Sequence, residues 1–80
     1  MTVTVLLFAR YREAAGVPAV VVEVSPGATL AEVWNRVRAT VPGLGREERP
    51  LLSCDHVYAG PERPITGREE IAAFPPVSGG

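Results

Sequence analysis

Residues 29–43 read TLAEVWNRVRATVPG, and this stretch decides the fold of the chain. Thr29 and Glu32 have the spacing of a capping box, in which each side chain accepts the other residue's backbone N–H at the start of a helix. Apolar residues follow at helical spacing and form one stripe about three turns long. Pro42 and Gly43 end the pattern. The stretch predicts one principal helix, lying on a sheet through Leu30, Val33, Trp34, Val37 and Val41.

Segments rich in β-branched and apolar residues lie on both sides of this helix and predict the strands of the sheet. Residues 2–8 alternate, so that Val3 and Leu7 share one face while Phe8 lies on the other. A short helical segment over 9–15, stopped by Gly16, leads to a second strand at 19–24 that pairs antiparallel with the first. Further strands are predicted at 51–54, 57–59 and 70–74. This order indicates an α+β fold with one principal helix across one face of the sheet.

A sheet covered on one face leaves the other face open. Phe8, Tyr58 and Phe74 are the aromatic residues expected there, because Phe8 and Phe74 are out of phase with the inward positions of their strands. An apolar patch on a small domain indicates a surface that binds a partner protein. The alternative interpretation is that these rings cap the edges of the core.

Length and charge exclude several functional classes. The chain has 80 residues, which suits one domain with one core and no deep enzyme cleft. Its net charge is −1 and its eight basic residues, all arginine, are spread along the chain, so we expect no nucleic-acid partner. The apolar residues 3–9 are too few to span a membrane and lack a basic segment before them. With Cys54 as the only cysteine, these features predict a cytoplasmic protein without membrane association.

The interior offers no convincing catalytic or metal-binding group. Cys54, Asp55 and His56 are adjacent in the sequence, and neighbouring side chains of extended backbone point to opposite faces; no second cluster completes a tetrahedral site, so we expect no metal site. Glu47 and Glu48, flanked by arginines, are interpreted as a solvated turn rather than as a catalytic carboxylate pair. No glycine pattern typical of a phosphate-binding loop is present.

The C-terminal residues 75–80, by contrast, have the composition of an extended tail that presents its terminal carboxylate to the active sites of other proteins. Pro75 and Pro76 lack N–H donors, so the last strand stops pairing and leaves the sheet as an extended stem. Val77 and Ser78 continue the stem, and a Gly79-Gly80 end passes through channels too narrow for other residues. We therefore divide the chain into a domain at 1–74 and a tail at 75–80. The Gly80 carboxylate is ionised and unreactive until a partner activates it.

The whole chain resembles the MoaD-type sulfur carriers, the small subunits of molybdopterin synthase, which are ubiquitin-like β-grasp proteins. The resemblance is carried by Leu6-Leu7-Phe8-Ala9, by the helix opening Thr29-Leu30, and above all by residues 65–80, which end in Phe-Pro-Pro-Val-Ser-Gly-Gly. It implies that Gly80 is adenylated by an ATP-using enzyme related to ubiquitin-activating enzymes and, with a sulfurtransferase, is converted to a thiocarboxylate. The tail 75–80 would then enter the large subunit and donate sulfur to a cyclic pyranopterin precursor.

The resemblance further implies that the carrier holds no cofactor of its own, that the catalytic side chains belong to the large subunit, and that the two subunits form a hetero-oligomer. It also matches Phe8, Tyr58 and Phe74 to positions where the family contacts its partners. The chain departs from the family at Cys54-Asp55-His56, where relatives commonly have an asparagine. Alternative functions are sulfur transfer for thiamine or transfer-RNA thiolation, ubiquitin-like protein modification, or plain binding with an inert terminus.

Overall fold

The computed structural model describes residues 1–45 and 48–76, which form five strands and two helices. The strands make one mixed sheet in the order β2-β1-β5-β3-β4. β1 and β5 are parallel at its centre, and the other neighbouring pairs are antiparallel. The predicted α+β class, a β-grasp sheet with one principal helix on one face, is confirmed. The elements are β1 Thr2–Leu7, α1 Ala9–Ala15, β2 Ala19–Glu23, α2 Leu30–Thr40, β3 Leu51–Cys54, β4 Val57–Ala59 and β5 Ile71–Phe74.

Helix α2 begins as its sequence predicts. The Thr29 hydroxyl accepts the Glu32 N–H at 3.4 Å, and the Glu32 carboxylate accepts the Thr29 N–H at 3.4 Å. Four apolar residues of the helix are buried, and the interpretation of Trp34 as a core residue is confirmed. The buried residues are Leu30, Val33, Trp34 and Val37.

The first turn of α2 is also joined to the segment that follows β4. The N–H groups at the start of a helix have no partner inside the helix. Leu30 N–H donates to the carbonyl of Arg63, and Ala31 N–H donates to that of Pro61, both at 2.9 Å. Residues 61–63 are thereby fixed against the helix without forming a strand.

Helix α1 has seven residues and α2 has eleven. A membrane-spanning helix needs about 20 predominantly apolar residues. Within residues 1–45 and 48–76, no helix is long and apolar enough to cross a bilayer.

Helix α1 closes the core at the end of β1. It ends at Gly16, whose φ of 74° places it in the left-handed region that terminates helices, as predicted. Its Tyr11 is fully buried, with its ring centroid 5.1 Å from that of Trp34. The inward residues of β1, which include Val3 and Leu7, complete this side of the core.

The interpretation of Glu48 as part of a solvated turn is wrong. Its side chain is only 14% exposed and forms an ion pair with Arg10, including an Nη2–Oε2 contact of 3.0 Å. It also accepts a hydrogen bond of 3.1 Å from the Tyr11 hydroxyl. The carboxylate therefore links the segment before β3 to α1. Its neighbour Glu47 lies outside the described residues.

The burial of Tyr11 predicts an unusual alkaline titration. Burial and the hydrogen bond to Glu48 raise the pKa of Tyr11 to about 12. A Tyr58→Phe variant leaves Tyr11 as the single tyrosine, so its ultraviolet absorbance reports that group alone. We expect a tyrosinate midpoint near 12 in the folded variant, a lower midpoint when Glu48→Gln is added, and about 10 in denaturant.

Because this pKa is raised in the folded state, its contribution to stability is complete below about pH 10 and is lost as the pH rises through about 12. Circular dichroism recorded at each pH checks that the variant is still folded. A midpoint near 10 in a chain that retains its native spectrum would contradict the buried environment of Tyr11.

Candidate functional site

The predicted site residues fall into two groups. Phe8, Tyr58 and Phe74, together with Pro75 and Pro76, lie in the described part of the chain. The four terminal residues of the tail lie outside the described residues. The structure therefore places the base of the tail and the surface around it. The residues beyond that base are Val77, Ser78, Gly79 and Gly80.

Phe8, Phe74 and Tyr58 form one group, the aromatic cluster. The Phe8 and Phe74 rings stack with centroids 4.6 Å apart and an interplanar angle of 10°. Tyr58 meets Phe74 edge to face at 6.1 Å and 79°. Both arrangements have favourable aromatic geometry. The predicted residues are thus brought together, although each belongs to a different part of the sequence.

Strand register explains how the cluster forms. Leu7 pairs with Ala73 in the parallel ladder, so the residues that follow them, Phe8 and Phe74, emerge side by side. Val3, Leu7 and Ala73 point into the core, and the alternation of the strands turns both phenylalanines to the opposite, open face. Phe8 is 38% exposed and Tyr58 is 66% exposed. The geometry favours an accessible patch over the alternative that the rings cap the core.

The tail begins at this cluster. β5 ends at Phe74, and Pro75 and Pro76 follow outside the strand. Pro75 is half-buried and Pro76 is exposed. A protein that covers the cluster is therefore immediately beside the point where the tail leaves the sheet.

A shallow depression of about 370 Å³ lies on the open face beside the cluster. Its floor includes Ala72 and Ser53, which are small and each 6% exposed. Ala72 on β5 pairs with Ser53 on β3. On either side of this pair, Leu6 on β1 pairs with Ala72 and Tyr58 on β4 pairs with Ser53, so the four residues form one row across the sheet. Phe8 and Phe74 border one side, and His56 and Glu70 border the depression as well. The depression was not predicted, because its floor is made of small residues whose only signal in the sequence is their alternation with inward positions.

The expectation that Asp55 and His56 have extended backbone, as in a strand, is wrong. They form the turn between β3 and β4, with φ values of 51° and 70°. Two positive φ values suit a two-residue hairpin turn, where glycine and asparagine are usual. Among the described residues, no group of three or more His, Cys, Asp or Glu side chains is arranged so that it could hold a metal ion.

This turn is attached to the residue that precedes β5. Asp55 N–H donates to the Glu70 carbonyl, and the Asp55 carboxylate accepts the Glu70 N–H, both at 2.9 Å. His56 Nε2 lies 2.9 Å from Glu70 Oε2. The β3–β4 turn and the start of β5 thus form one unit at the end of the open face away from the tail.

The turn that leads into β5 is held by Glu69. Its carboxylate accepts the N–H groups of Thr66, at 2.8 Å, and of Gly67, at 2.9 Å. Burial raises the pKa of Glu69, but hydrogen bonds from Thr66, from its own N–H and from Gly67 outweigh burial and lower the pKa to about 2. The folded chain therefore favours the ionised carboxylate.

A larger groove, of about 440 Å³, lies on the helix side of the sheet. Trp34 and Asn35 of α2 line it, as do Leu52 and Ala59, which face the core side of β3 and β4. The groove and the aromatic cluster are on opposite faces of the sheet. We therefore assign the candidate site to the open face and not to the larger groove.

Comparisons with known proteins show which family and which folds this chain resembles. The model of the ThiS family matches residues 5–80. A protein of Arabidopsis thaliana named "Molybdopterin synthase sulfur carrier subunit" is 34% identical over 80 residues, covering 98% of this chain and 82% of the relative. The crystal structure of SAMP1 from Haloferax volcanii has a TM-score of 0.82 at 26% identity and covers all of both chains. A putative molybdopterin converting factor subunit 1 from Pyrococcus furiosus has the same fold, with a TM-score of 0.83 at 22% identity, covering 96% of this chain and 99% of that one.

The lowered pKa of Glu69 predicts an acid-dependent loss of stability. Its contribution is present above the ordinary glutamate pKa of about 4.3 and is lost as the pH falls through about 2. We expect Glu69→Gln to reduce the difference between the free energies of unfolding at pH 7 and pH 2.5, measured by urea denaturation. Glu13→Gln, on the exposed surface of α1, is the control and is expected to leave the difference near that of the unsubstituted chain. The same difference in all three chains would contradict the assigned role of Glu69.

Proposed function

This chain belongs to the ThiS family, and on that basis we propose that it is a sulfur carrier, the small subunit of molybdopterin synthase. The observation that carries the proposal is its 34% identity, over 98% of its length, with the relative of that name. The family match extends to residue 80 and so includes the Gly79-Gly80 end. The aromatic cluster at the base of the tail supports the same function.

The tail reacts first with an activating enzyme. An ionised carboxylate is a poor acyl donor, so a Gly80 oxygen attacks the α-phosphorus of ATP and pyrophosphate leaves. A persulfide on a cysteine of the sulfurtransferase then attacks the carbonyl carbon of this acyl adenylate and displaces AMP, and a thiol reduces the resulting acyl disulfide to release the sulfur on the carrier. The product is a thiocarboxylate at Gly80, whose sulfur is nucleophilic. ATP is bound by the activating enzyme, and the carrier holds no cofactor.

The tail then enters the large subunit of the synthase. There each thiocarboxylate transfers one sulfur to a cyclic pyranopterin precursor, so two loaded carriers are used to build the dithiolene, and water restores the carboxylate of each carrier. The catalytic side chains belong to the large subunit, and this chain supplies the reacting terminus. Phe8, Tyr58 and Phe74 bind the partner while Pro75 and Pro76 direct residues 77–80 away from the sheet. The two chains form a hetero-oligomer in the cytoplasm.

A second candidate function is protein modification. The solved structures with the same fold include SAMP1, and one of them is named small archaeal modifier protein 1. A modifier would use the same activated terminus but would form an amide with a lysine of another protein. Stable amide-linked adducts in the native host would favour this function, whereas a terminal thiocarboxylate favours the sulfur carrier.

A one-residue extension tests the role of the terminus. With alanine added after Gly80, the activating enzyme no longer meets a glycine carboxylate, so we expect thiocarboxylate formation to be abolished. Intact mass spectrometry of protein from its own host measures it, because sulfur in place of oxygen increases the mass of the chain. The control is Glu13→Ala, which changes an exposed residue of α1 and is expected to retain the modification. Equal thiocarboxylation of the extended chain would overturn the proposal.

A charge placed in the aromatic cluster tests the docking surface. We expect Phe8→Arg to weaken binding to the purified large subunit by about thirtyfold or more, the effect of losing an aromatic anchor residue. Calorimetry or co-elution measures the binding, and circular dichroism checks the fold. Val17→Arg is the matched control, since Val17 is also exposed, at 44%, but lies in the α1–β2 connection. If both variants bound like the unsubstituted chain, the cluster would not be the docking surface.

A further inference from the structure

We propose that the depression on the open face receives an arginine side chain of the partner protein that covers the aromatic cluster. The inference depends on the proposed function, because it needs a partner on this face. It goes further by naming the chemical group that the partner supplies and Glu70 as the residue that recognises it.

The shape of the depression suits a long, unbranched side chain. Ala72 and Ser53 leave space above the middle of the sheet, between the Phe8–Phe74 pair and the Glu70 end. Tyr58 borders the depression and exposes 66% of its surface. The methylene groups of an arginine would lie on this floor, and its planar guanidinium would be beside an aromatic ring, a favourable arrangement for that cation.

The charges around the depression select a cation. Asp55, Glu69 and Glu70 all lie at this end of the sheet, but the first two are engaged by backbone N–H groups. Glu70 is the carboxylate that lines the depression, and its side chain is 49% exposed. Its contact with His56 is made through Oε2, so Oε1 is the oxygen that a partner's donor would reach.

Docking itself requires a partner for Glu70. A protein that covers Phe8, Phe74 and Tyr58 also covers the depression they share with Glu70, and it removes water from that carboxylate. A desolvated carboxylate is costly unless it is paired with a charge and hydrogen-bonded. Arginine meets both needs, because its guanidinium carries a positive charge and donates a charge-assisted hydrogen bond to the carboxylate oxygen that it reaches. An apolar residue at the same position of the partner would bury Oε1 of Glu70 without supplying a hydrogen bond to it.

Glu70→Gln tests the proposal, because glutamine keeps the shape of the side chain and removes its charge. The hydrogen bonds between Asp55 and Glu70 use the Glu70 backbone and remain in the variant. We expect the Kd for the purified large subunit to rise about tenfold or more, which is typical of a hydrogen bond to a charged group. We also expect binding by the variant to depend less on salt than binding by the unsubstituted chain.

Glu23→Gln is the matched control. It removes the same charge from the same face, since Val22 and Val24 on either side point into the core, but it lies on β2, outside the depression. We expect its Kd to stay within about twofold of the unsubstituted value, because an isolated exposed charge contributes little. Equal weakening by both variants would indicate a general charge effect and overturn the proposal.

His56→Ala separates recognition of Glu70 from recognition of the imidazole. If an arginine binds Glu70, loss of His56 leaves the Kd unchanged or lowers it. Weaker binding by His56→Ala together with normal binding by Glu70→Gln would mean that the partner recognises His56, and would overturn the proposal. A large subunit that fails to bind even the unsubstituted chain would instead overturn the proposed function. Unchanged affinity in Glu70→Gln alone would overturn only the present inference.

Discussion

The parallel pairing of β1 with β5 is the constraint on which the site depends. It places the two ends of the domain sequence side by side at the centre of the sheet, with Leu7 opposite Ala73. Because parallel strands end at the same edge, Phe8 and Phe74 emerge together and stack. β3 then pairs with the other side of β5, and β4 adds Tyr58 to the same face. One ladder thus fixes both the aromatic cluster and the starting point of the tail.

Local signals predicted most of the elements. The capping box fixed the start of α2, and period-2 alternation placed Val3 and Leu7 inside and Phe8 outside, as the structure has them. The family resemblance implied the β-grasp class, but the order of the strands was not predicted, because β1 and β5 are distant in the sequence and their pairing leaves no local pattern. The turn at Asp55 and His56 was missed because it lacks the glycine that usually marks two positive φ values.

Polar contacts between residues that are distant in the sequence were the least predictable feature of the structure. Arg10 and Glu48 are 38 residues apart, and nothing in either local sequence indicates that they meet. The same holds for Glu70, whose backbone holds Asp55 and whose side chain contacts His56 across the end of the sheet. A pattern of apolar residues shows which face a side chain takes, but only the assembled sheet shows which charged groups then become neighbours.

The position of β5 also has a mechanical consequence. β5 lies between β1 and β3, with hydrogen-bonded ladders on both sides. Under the proposed function, a partner that drew the tail along the direction of β5 would load this strand lengthwise, while the ladder bonds run across that direction. Under such shear the bonds of both ladders share the load and must break together, whereas an edge strand pulled sideways would peel away one bond at a time. Because the tail is attached to a central strand, the domain resists unfolding when force is applied to its C-terminus.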